Sequence, residues 1–197
     1  YKIRRYGAHG TSHMYVNRRT AELMGQDVNT LNMITCHLGN GASITAIKNG
    51  KCVNTSMGLT PLGGIMMGTR SGDIDPTVVF YMMKKLECTP DEMDTLLNKR
   101  SGMLGVSGIS SDARDIQQAV DAGNERAKLT VDLYTNRVIN VVGGYYMQLG
   151  HVDAIAFTAG LGENDAQMRE RILKDLEEGM GLSIDYELNK TIHGKEC

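Results

Sequence analysis

The stretch that decides the fold is LNMITCHLGNGASITAIKNGKCVNT, residues 31–55, in which two glycine turns separate three β-prone runs. The runs at 31–37 and 42–48 are rich in residue types that favour strands. Asn49-Gly50 separates the second run from a third at 51–55, and this residue pair suits a type I′ hairpin turn. The stretch therefore predicts an antiparallel three-stranded meander.

A helix is predicted immediately before this meander, at residues 11–24. Thr11 is a good N-cap residue, and Gly25 follows the last periodic position. Met14, Ala21 and Met24 form a helical stripe, which we expect to be the buried face.

Further helices are predicted after the meander. Asp75-Pro76 and Thr89-Pro90 each join an N-cap residue to proline at the first helical position. Glu92 stands three residues after Thr89, which completes a capping box. The other predicted elements are a glycine-rich loop at 58–75, helices at 113–122, 125–149 and 165–179, and a buried strand at 153–160.

The composition excludes several classes of protein. Glycine supplies 23 of the 197 residues and proline only 3, without a three-residue period, which excludes collagen and argues against a proline-rich linker. The net charge of −2 gives no basic surplus for nucleic acid or an anionic membrane. There is neither a membrane-length apolar run nor a signal-peptide core, and the four cysteines are scattered, so we expect a cytoplasmic protein with reduced cysteines.

Three glycine-rich turns are the strongest functional signal, at residues 37–43, 68–72 and 159–164. Glycine lets a phosphate approach the backbone N–H groups, and a following helix N-terminus adds partial positive charge. Any one such turn is more often an ordinary tight turn, but three together favour a phosphate cradle. None matches the P-loop pattern or a strict GxGxxG, so the common nucleotide folds are disfavoured.

Two side chains beside these turns are candidates for the chemistry. Arg70 lies within the second turn, where its planar guanidinium suits phosphoryl oxygens; an ordinary surface arginine is the alternative. His9 can donate to a developing anion, and a histidine that only caps the helix is the alternative. His13 completes an HxxxH spacing, but Gly10 stands where a zinc protease carries Glu, so we reject a metal site there. The role of Asp73 stays open.

Five long motifs occur in the order typical of one family: RRYGAHGTSH (4–13), HLGNGASI (37–44), NTSMGLTPLGGIMMGTRSGDIDP (54–76), SGMLGVSGISSDAR (101–114) and FTAGLGEN (157–164). By these motifs the chain resembles the acetate kinases along essentially its whole length. The resemblance implies reversible phosphoryl transfer from ATP to acetate, giving ADP and acetyl phosphate, with Mg²⁺. It also implies an α/β fold of the ribonuclease H-like type, as in actin, sugar kinases and heat-shock ATPases, with a mixed sheet flanked by helices.

The resemblance also assigns roles to residues. His9 and Arg70 correspond to family residues that stabilise the transition state, and no residue of the chain is assigned as a metal ligand. The residues implied to bind the nucleotide are His37, Leu38, Gly39, Asn40 and Gly41 at the phosphates, Asp112, Ala113 and Arg114 at the nucleoside, and Gly160, Leu161, Gly162, Glu163 and Asn164 in a closing turn.

The chain departs from the family pattern in its extent and at one position. Residues 1–197 are expected to be most of the carboxy-terminal ATP-binding domain of a two-domain kinase, with the amino-terminal domain and the extreme carboxyl terminus absent. Ala8 stands where the family usually has Phe. The alternatives are a kinase of propionate or another short-chain carboxylate and, for this piece, a non-catalytic nucleotide-binding module. A homodimer is expected, because family members usually pair through this domain.

Overall fold

A computed structural model describes residues 1–194 and 196. Three consecutive strands follow the first helix and a short 3-10 helix at Val28–Thr30, and five helices separate them from the fourth strand. The strands are β1 (Met33–Leu38), β2 (Ala42–Lys48), β3 (Lys51–Thr55) and β4 (Ala154–Thr158). The helices are α1 (Gly10–Leu23), α2 (Pro76–Leu86), α3 (Pro90–Lys99), α4 (Gly102–Ser107), α5 (Ala113–Asp121), α6 (Glu125–Leu149), α7 (Ala159–Asn164), α8 (Ala166–Met180) and α9 (Tyr186–Thr191).

The four strands form one mixed sheet in the order β3-β2-β1-β4. β1, β2 and β3 pair antiparallel, while β4 joins the other edge of β1 in parallel. Asn49 and Gly50 have φ values of 49° and 72°, the left-handed values that a type I′ turn requires. The predicted meander and the mixed sheet flanked by helices are confirmed.

The helix starts predicted from local capping are also confirmed. Asp75 accepts a hydrogen bond from the Thr77 backbone N–H, and Thr89 and Glu92 form both bonds of a capping box. The long helix α6 has the predicted bounds, 125–149, and packs across the sheet against β2 and β1. Among the described residues, no helix is both long and apolar enough to cross a membrane.

Alternation along β1 sends its side chains to two different environments. Ile34, Cys36 and Leu38 are fully buried in the main core, which includes the inward face of α6. Burial raises the pKa of the Cys36 thiol to about 12. The residues between them contact α1 on the other face: Met33 packs with Ala21, Thr35 bonds to His13, and His37 bonds to Ser12. One face of β1 is therefore apolar, and the other turns polar toward its carboxyl end.

This polar surface explains why the predicted buried stripe of α1 was wrong. Met14 and Met24 are 49% and 36% exposed, whereas His13, Asn17 and Ala21 are buried. The buried positions still recur every four residues, but Ala21 is the one member of the predicted stripe among them and packs in an apolar cluster with Met33, whereas His13 faces the polar end of the sheet. Helix α1 also begins one residue earlier than predicted, so Thr11 lies in its first turn and is not the cap.

Residues 159–164 correct a second prediction, because they form helix α7 rather than an open glycine turn. Glu163 stabilises the start of this helix by accepting hydrogen bonds from Thr158 Oγ1 at 2.8 Å and Ala159 N at 2.9 Å. The preceding strand β4 is half-buried rather than buried. Within the described residues it pairs with β1 alone, at an edge of the sheet.

His13 is a buried connection between α1 and the sheet. Its Nδ1 lies 2.7 Å from Thr35 Oγ1 and its Nε2 lies 2.7 Å from Ser43 Oγ, and the residue is 4% exposed. Burial, followed by the nearby His37 and His9, lowers the pKa of His13 to about 4. The imidazole is therefore neutral in the folded protein at neutral pH.

We expect His13 to make the protein lose stability in mild acid. Because its pKa falls from 6.5 in the unfolded chain to about 4 in the fold, the unfolded state binds a proton first as the pH drops. Between these pH values the free energy of unfolding should fall by about 2 to 3 kcal/mol more in the wild type than in His13→Gln. Urea titrations of both proteins at several pH values measure this difference, and parallel pH profiles would contradict it.

Gly102 is expected to be far less tolerant of a side chain than another left-handed glycine. Its φ is 61°, and a Cβ would overlap Met67 O and lie 2.8 Å from Arg70 O. Gly123 has a φ of 81° but nothing within 4 Å of a Cβ, so it supplies a matched control. Gly123→Ala should cost about 1 kcal/mol of unfolding free energy and Gly102→Ala about 3 kcal/mol, measured by urea unfolding. Equal losses would show that the contacts at Gly102 can relax.

Candidate functional site

The site forms where the parallel strands β1 and β4 end. Because parallel strands finish at the same edge, the segments after Leu38 and Thr158 lie side by side. A Cβ at Gly39 would lie 3.6 Å from the Ala159 Cβ, which shows how closely these segments approach. A cavity of about 890 Å³ opens beside them, a volume suited to a drug-sized or nucleotide-sized ligand.

Most of the residues predicted to contact the nucleotide are brought together in this cavity. Those that line it are Gly39, Asn40, Asp112, Ala113, Arg114, Gly160, Leu161 and Asn164. Gly68, from the second predicted glycine turn, also lines it, whereas the sequence left the other lining residues unassigned, namely Met103, Ser111, Gln117, Asp165, Ala166, Gln167 and His193. The N-cap role of Asp165 was readable from its place before α8, but the positions of Gln117 and His193 depend on long-range packing.

The remaining predicted residues lie behind or beside the cavity lining. Leu38 is fully buried in the core, and Gly162 packs over the backbone of Phe157. Glu163 bonds to the start of α7, as described above. His37 and Gly41 lie next to His9 rather than in the cavity wall.

The first and second glycine turns meet at Gly68. Its N–H donates to Asn40 O at 3.1 Å, and its carbonyl accepts from Leu104 N at 2.9 Å. A Cβ at Gly68 would overlap Asn40 Oδ1, so a side chain there would displace the Asn40 side chain. The contact holds Asn40 at the cavity wall and ties it to the start of α4.

Arg70 and His9 converge on the residue that follows Asn40. A Cβ at Gly41 would lie 3.0 Å from Arg70 Nη1 and 3.5 Å from His9 Nε2. Arg70 Nη1 donates to Pro61 O at 3.3 Å and contacts Met67 Sδ at 3.6 Å, both neutral groups. These contacts orient the guanidinium without neutralising its charge, which leaves a cation and an imidazole on one small patch.

His9 is held on two sides. Its ring stacks on His37 with centroids 4.0 Å apart, and its Nδ1 lies 2.9 Å from Ser43 Oγ. His9 is the N-cap residue of α1, but its side chain makes no capping hydrogen bond, so capping does not explain its orientation. Burial, and then the Arg70 charge, lowers the pKa of His9, so the ring is neutral at neutral pH.

His37 completes the histidine cluster of His9, His13 and His37. Its Nδ1 lies 2.8 Å from Ser12 Oγ, and burial followed by His9 lowers its pKa. The cluster forms because His9 and His13 lie four residues apart at the start of α1, over the face of β1 that carries His37. The sequence predicted His9 as a donor to developing charge, but the spacing of His9 and His13 was considered only as a zinc motif and rejected, so their hydrogen-bonded arrangement was missed.

Asp112 and Arg114 form an exposed ion pair where α5 begins. Arg114 Nη2 lies 2.6 Å from Asp112 Oδ2, and Asp112 also accepts from the Arg114 backbone N–H at 2.9 Å. The guanidinium, followed by that N–H, lowers the pKa of Asp112 to about 2. The pair holds a planar cation beside the cavity, a geometry suited to stacking on an aromatic ring.

The described residues form no cluster that would hold Mg²⁺ without a nucleotide, and in such enzymes the ion is usually held by one or two carboxylates together with substrate phosphates. No group of three or more His, Cys, Asp or Glu in this part of the chain could hold a metal ion. Asp73 accepts from Gly64 N at 2.8 Å, Glu163 is bonded to the start of α7, and Asp112 is paired with Arg114. The bond from Gly64 also gives Asp73 a structural role in closing the long loop.

Comparison with known proteins identifies close relatives. The family profile described as the acetokinase family matches residues 1–197. An acetate kinase from Finegoldia magna is 54% identical over 191 residues, which cover 97% of this chain and 48% of that protein. The chain thus spans about half the length of the curated relatives it matches.

Solved structures agree in fold. A crystal structure of Porphyromonas gingivalis acetate kinase has a TM-score of 0.96 and 48% identity, covering 99% of this chain and 49% of that one. A propionate kinase from Francisella tularensis has a TM-score of 0.91 and 43% identity, covering 96% of this chain and 48% of that one. With a family match over its full length and this close similarity of fold, the chain belongs to the acetokinase family.

Proposed function

We propose that residues 1–197 are most of the carboxy-terminal ATP-binding domain of a two-domain acetate kinase, and that the whole protein transfers the γ-phosphoryl group of ATP reversibly to acetate. The observation that carries this proposal is the continuity of the cavity with the reactive pair. Gly39 and Asn40 line the cavity, and Gly41, the next residue, faces His9 and Arg70.

In the proposed complex, the nucleoside occupies the cavity between α5 and α7, with Arg114 beside the base. The phosphates extend along the backbone of residues 39–41, where glycines permit close approach. His37 supports the ring of His9, and Gly162 and Glu163 maintain the shape of α7. The predicted binding residues thus divide into those that touch the nucleotide and those that support them.

The proposed reaction is an in-line displacement at phosphorus. A carboxylate oxygen of acetate forms a bond to the γ-phosphorus as the bond to the β-phosphate oxygen breaks, which gives acetyl phosphate and ADP. Arg70 and the neutral His9 stabilise the negative charge on the oxygens of the moving group. Mg²⁺ is the proposed metal cofactor, which would neutralise charge on the phosphate oxygens when bound with the nucleotide, and no described residue is assigned as its ligand.

Propionate is the alternative acyl substrate, favoured by the similarity to the Francisella tularensis propionate kinase. The proposed partners are ATP, ADP, acetate and acetyl phosphate, in the cytoplasm. Neither nucleic acid nor a membrane is proposed as a partner, because the net charge is only −2. We also propose a homodimer, which is supported by α2, whose Val78, Phe80 and Tyr81 are at least 45% exposed.

The first prediction is nucleotide binding coupled to acyl phosphate formation. The whole protein should bind ATP in isothermal titration calorimetry and form acetyl phosphate, which hydroxylamine traps as a coloured iron complex. Running acetate and propionate in parallel gives the ratio of kcat/KM that separates the two kinases. ATP binding without turnover of either carboxylate would favour the non-catalytic module, and absence of ATP binding would refute the proposal.

The second prediction concerns Arg70. In the whole protein, Arg70→Ala should lower kcat about a hundredfold or more, because the charge on the moving group loses its local cation. The Kd for ATP should change little, since most nucleotide contacts lie in the cavity. Arg19→Ala is a matched control, because that guanidinium bonds to Glu22 and Glu196 and does not line the cavity. Near-normal turnover of Arg70→Ala would contradict the assigned role.

A further inference from the structure

A chain of hydrogen bonds runs from His9 into the protein interior. His9 Nδ1 lies 2.9 Å from Ser43 Oγ, and Ser43 Oγ lies 2.7 Å from His13 Nε2. His13 Nδ1 lies 2.7 Å from Thr35 Oγ1, at the buried end of the chain. All three bonds join side chains, so the hydrogen position at one end depends on the hydrogen position at the other.

Two arrangements of hydrogens satisfy the bonds at Ser43 and also give its buried hydroxyl hydrogen an acceptor, whereas donation by both imidazoles would leave that hydrogen unpaired. A neutral imidazole carries one hydrogen, and a serine hydroxyl donates one. In the first arrangement, His13 Nε2–H donates to Ser43, Ser43 donates to His9 Nδ1, and the His9 hydrogen is on Nε2. In the second arrangement, His9 carries its hydrogen on Nδ1 and donates it to Ser43, and Ser43 donates to His13 Nε2.

The buried hydroxyl of Thr35 distinguishes the two arrangements. Thr35 is fully buried, and in the described part of the chain His13 is the hydrogen-bond partner of its side chain. In the first arrangement the Thr35 hydroxyl donates to His13 Nδ1. In the second, His13 Nδ1–H donates to Thr35, which leaves the Thr35 hydrogen without an acceptor and away from water. Burying an unpaired donor is unfavourable, so the first arrangement is preferred.

We propose that His13, acting through Ser43, is a positioning residue that keeps the hydrogen of His9 on Nε2, the nitrogen beside Arg70. Its role in catalysis rests on the proposed function, whereas the position of the hydrogen does not. His9 then presents an N–H donor to the same oxygens that Arg70 contacts. No proton is transferred, because the donor acts by hydrogen bonding to developing charge.

The surroundings of His9 are compatible with this assignment. Arg70 Nη1 donates its hydrogen bond to Pro61 O and not to His9 Nε2. Arg70 therefore does not require His9 Nε2 to be an acceptor without a hydrogen. His37 bonds through Nδ1 to Ser12 and contacts His9 by ring stacking, so it leaves both His9 nitrogens available. The lowered pKa of His9 and of His13 keeps both rings neutral, the state in which the position of the single hydrogen matters.

The direct test is nuclear magnetic resonance of the whole protein with ¹⁵N-labelled histidine. The His9 ring signals are identified by their loss in His9→Gln, and nitrogen shifts distinguish a protonated from a bare ring nitrogen. We expect hydrogen on Nε2 and none on Nδ1 at neutral pH. A His9 ring with hydrogen on Nδ1 would overturn the proposal.

A pair of threonine substitutions tests whether the chain transmits the effect. Thr35→Val removes the hydroxyl at the end of the hydrogen-bond chain without changing His9. Thr45→Val is the control, because Thr45 is the cross-strand partner of Thr35 and its buried hydroxyl lies 3.0 Å from Thr55 Oγ1, outside the chain. Thr35→Val should move the His9 signals toward the Nδ1–H form and lower kcat about tenfold, with KM for ATP within about twofold. Thr45→Val should leave the tautomer and kcat within about twofold of wild type. Equal effects of the two variants would reduce His13 to a structural role and overturn the proposal.

Ser43→Ala interrupts the chain at its centre and should lower kcat at least as much as Thr35→Val. If this variant fails to fold, the wild-type spectrum and the threonine pair still decide the question. Failure of the two proposals is distinguishable. A protein with Nε2–H that forms no acyl phosphate would refute the proposed function, whereas acetyl phosphate formation with Nδ1–H would refute the positioning role.

Discussion

His13 lies between α1 and the sheet, where an imidazole nitrogen without a hydrogen-bond partner would have no water to replace it. Its bonds to Thr35 and Ser43 therefore fix how α1 sits over β1 and β2. The orientation of α1 places His9 over His37 and beside Gly41. The geometry of the candidate site thus depends on a polar contact in the interior, one helical turn from the residue that faces the ligand.

Close backbone contacts set the other side of the site. At Gly102 there is no room for a side chain, because the backbone carbonyls of Met67 and Arg70 occupy that space, and at Gly68 a Cβ would displace the Asn40 side chain. Leu104 and Met103 donate to the carbonyls of Gly68 and Met67, so α4 anchors the loop that carries Arg70. A flexible-looking glycine loop is thereby fixed in one conformation, which a preorganised charge requires.

Prediction from sequence succeeded where the information is local. The turn at Asn49-Gly50 and the capping box at Thr89 are each determined by residues adjacent in sequence, so the meander and α3 were predicted correctly. It failed where a distant residue decides. The buried face of α1 depends on strand residues 22 and 30 positions away from His13. The helical state of 159–164 was missed for a local reason, because the glycines favoured a turn although Ala159 N donates to Glu163 within the same segment.

Prediction of the site residues likewise succeeded for local motifs and failed where long-range packing decides. The glycine turns and their motifs identified about half of the residues lining the cavity, because each motif is continuous in sequence. The shared Ser43 hydroxyl was missed, since a serine in a β-prone run gives no signal until the helix above it is known. His193 and Gln117 were likewise missed, because their positions at the cavity depend on packing between separate helices.

The burial of Cys36 offers a way to observe motion in this structure. A thiol with its pKa raised to about 12 reacts with alkylating reagents only after the sheet opens, whereas Cys52 is exposed and Cys88 partly so. The alkylation rate of Cys36 thus reports the opening free energy of β1, the strand that leads directly into Gly39. A ligand held by the segment after β1 should slow that rate, so a single buried sulfur would report both the stability of the central strand and the occupancy of the site beside it.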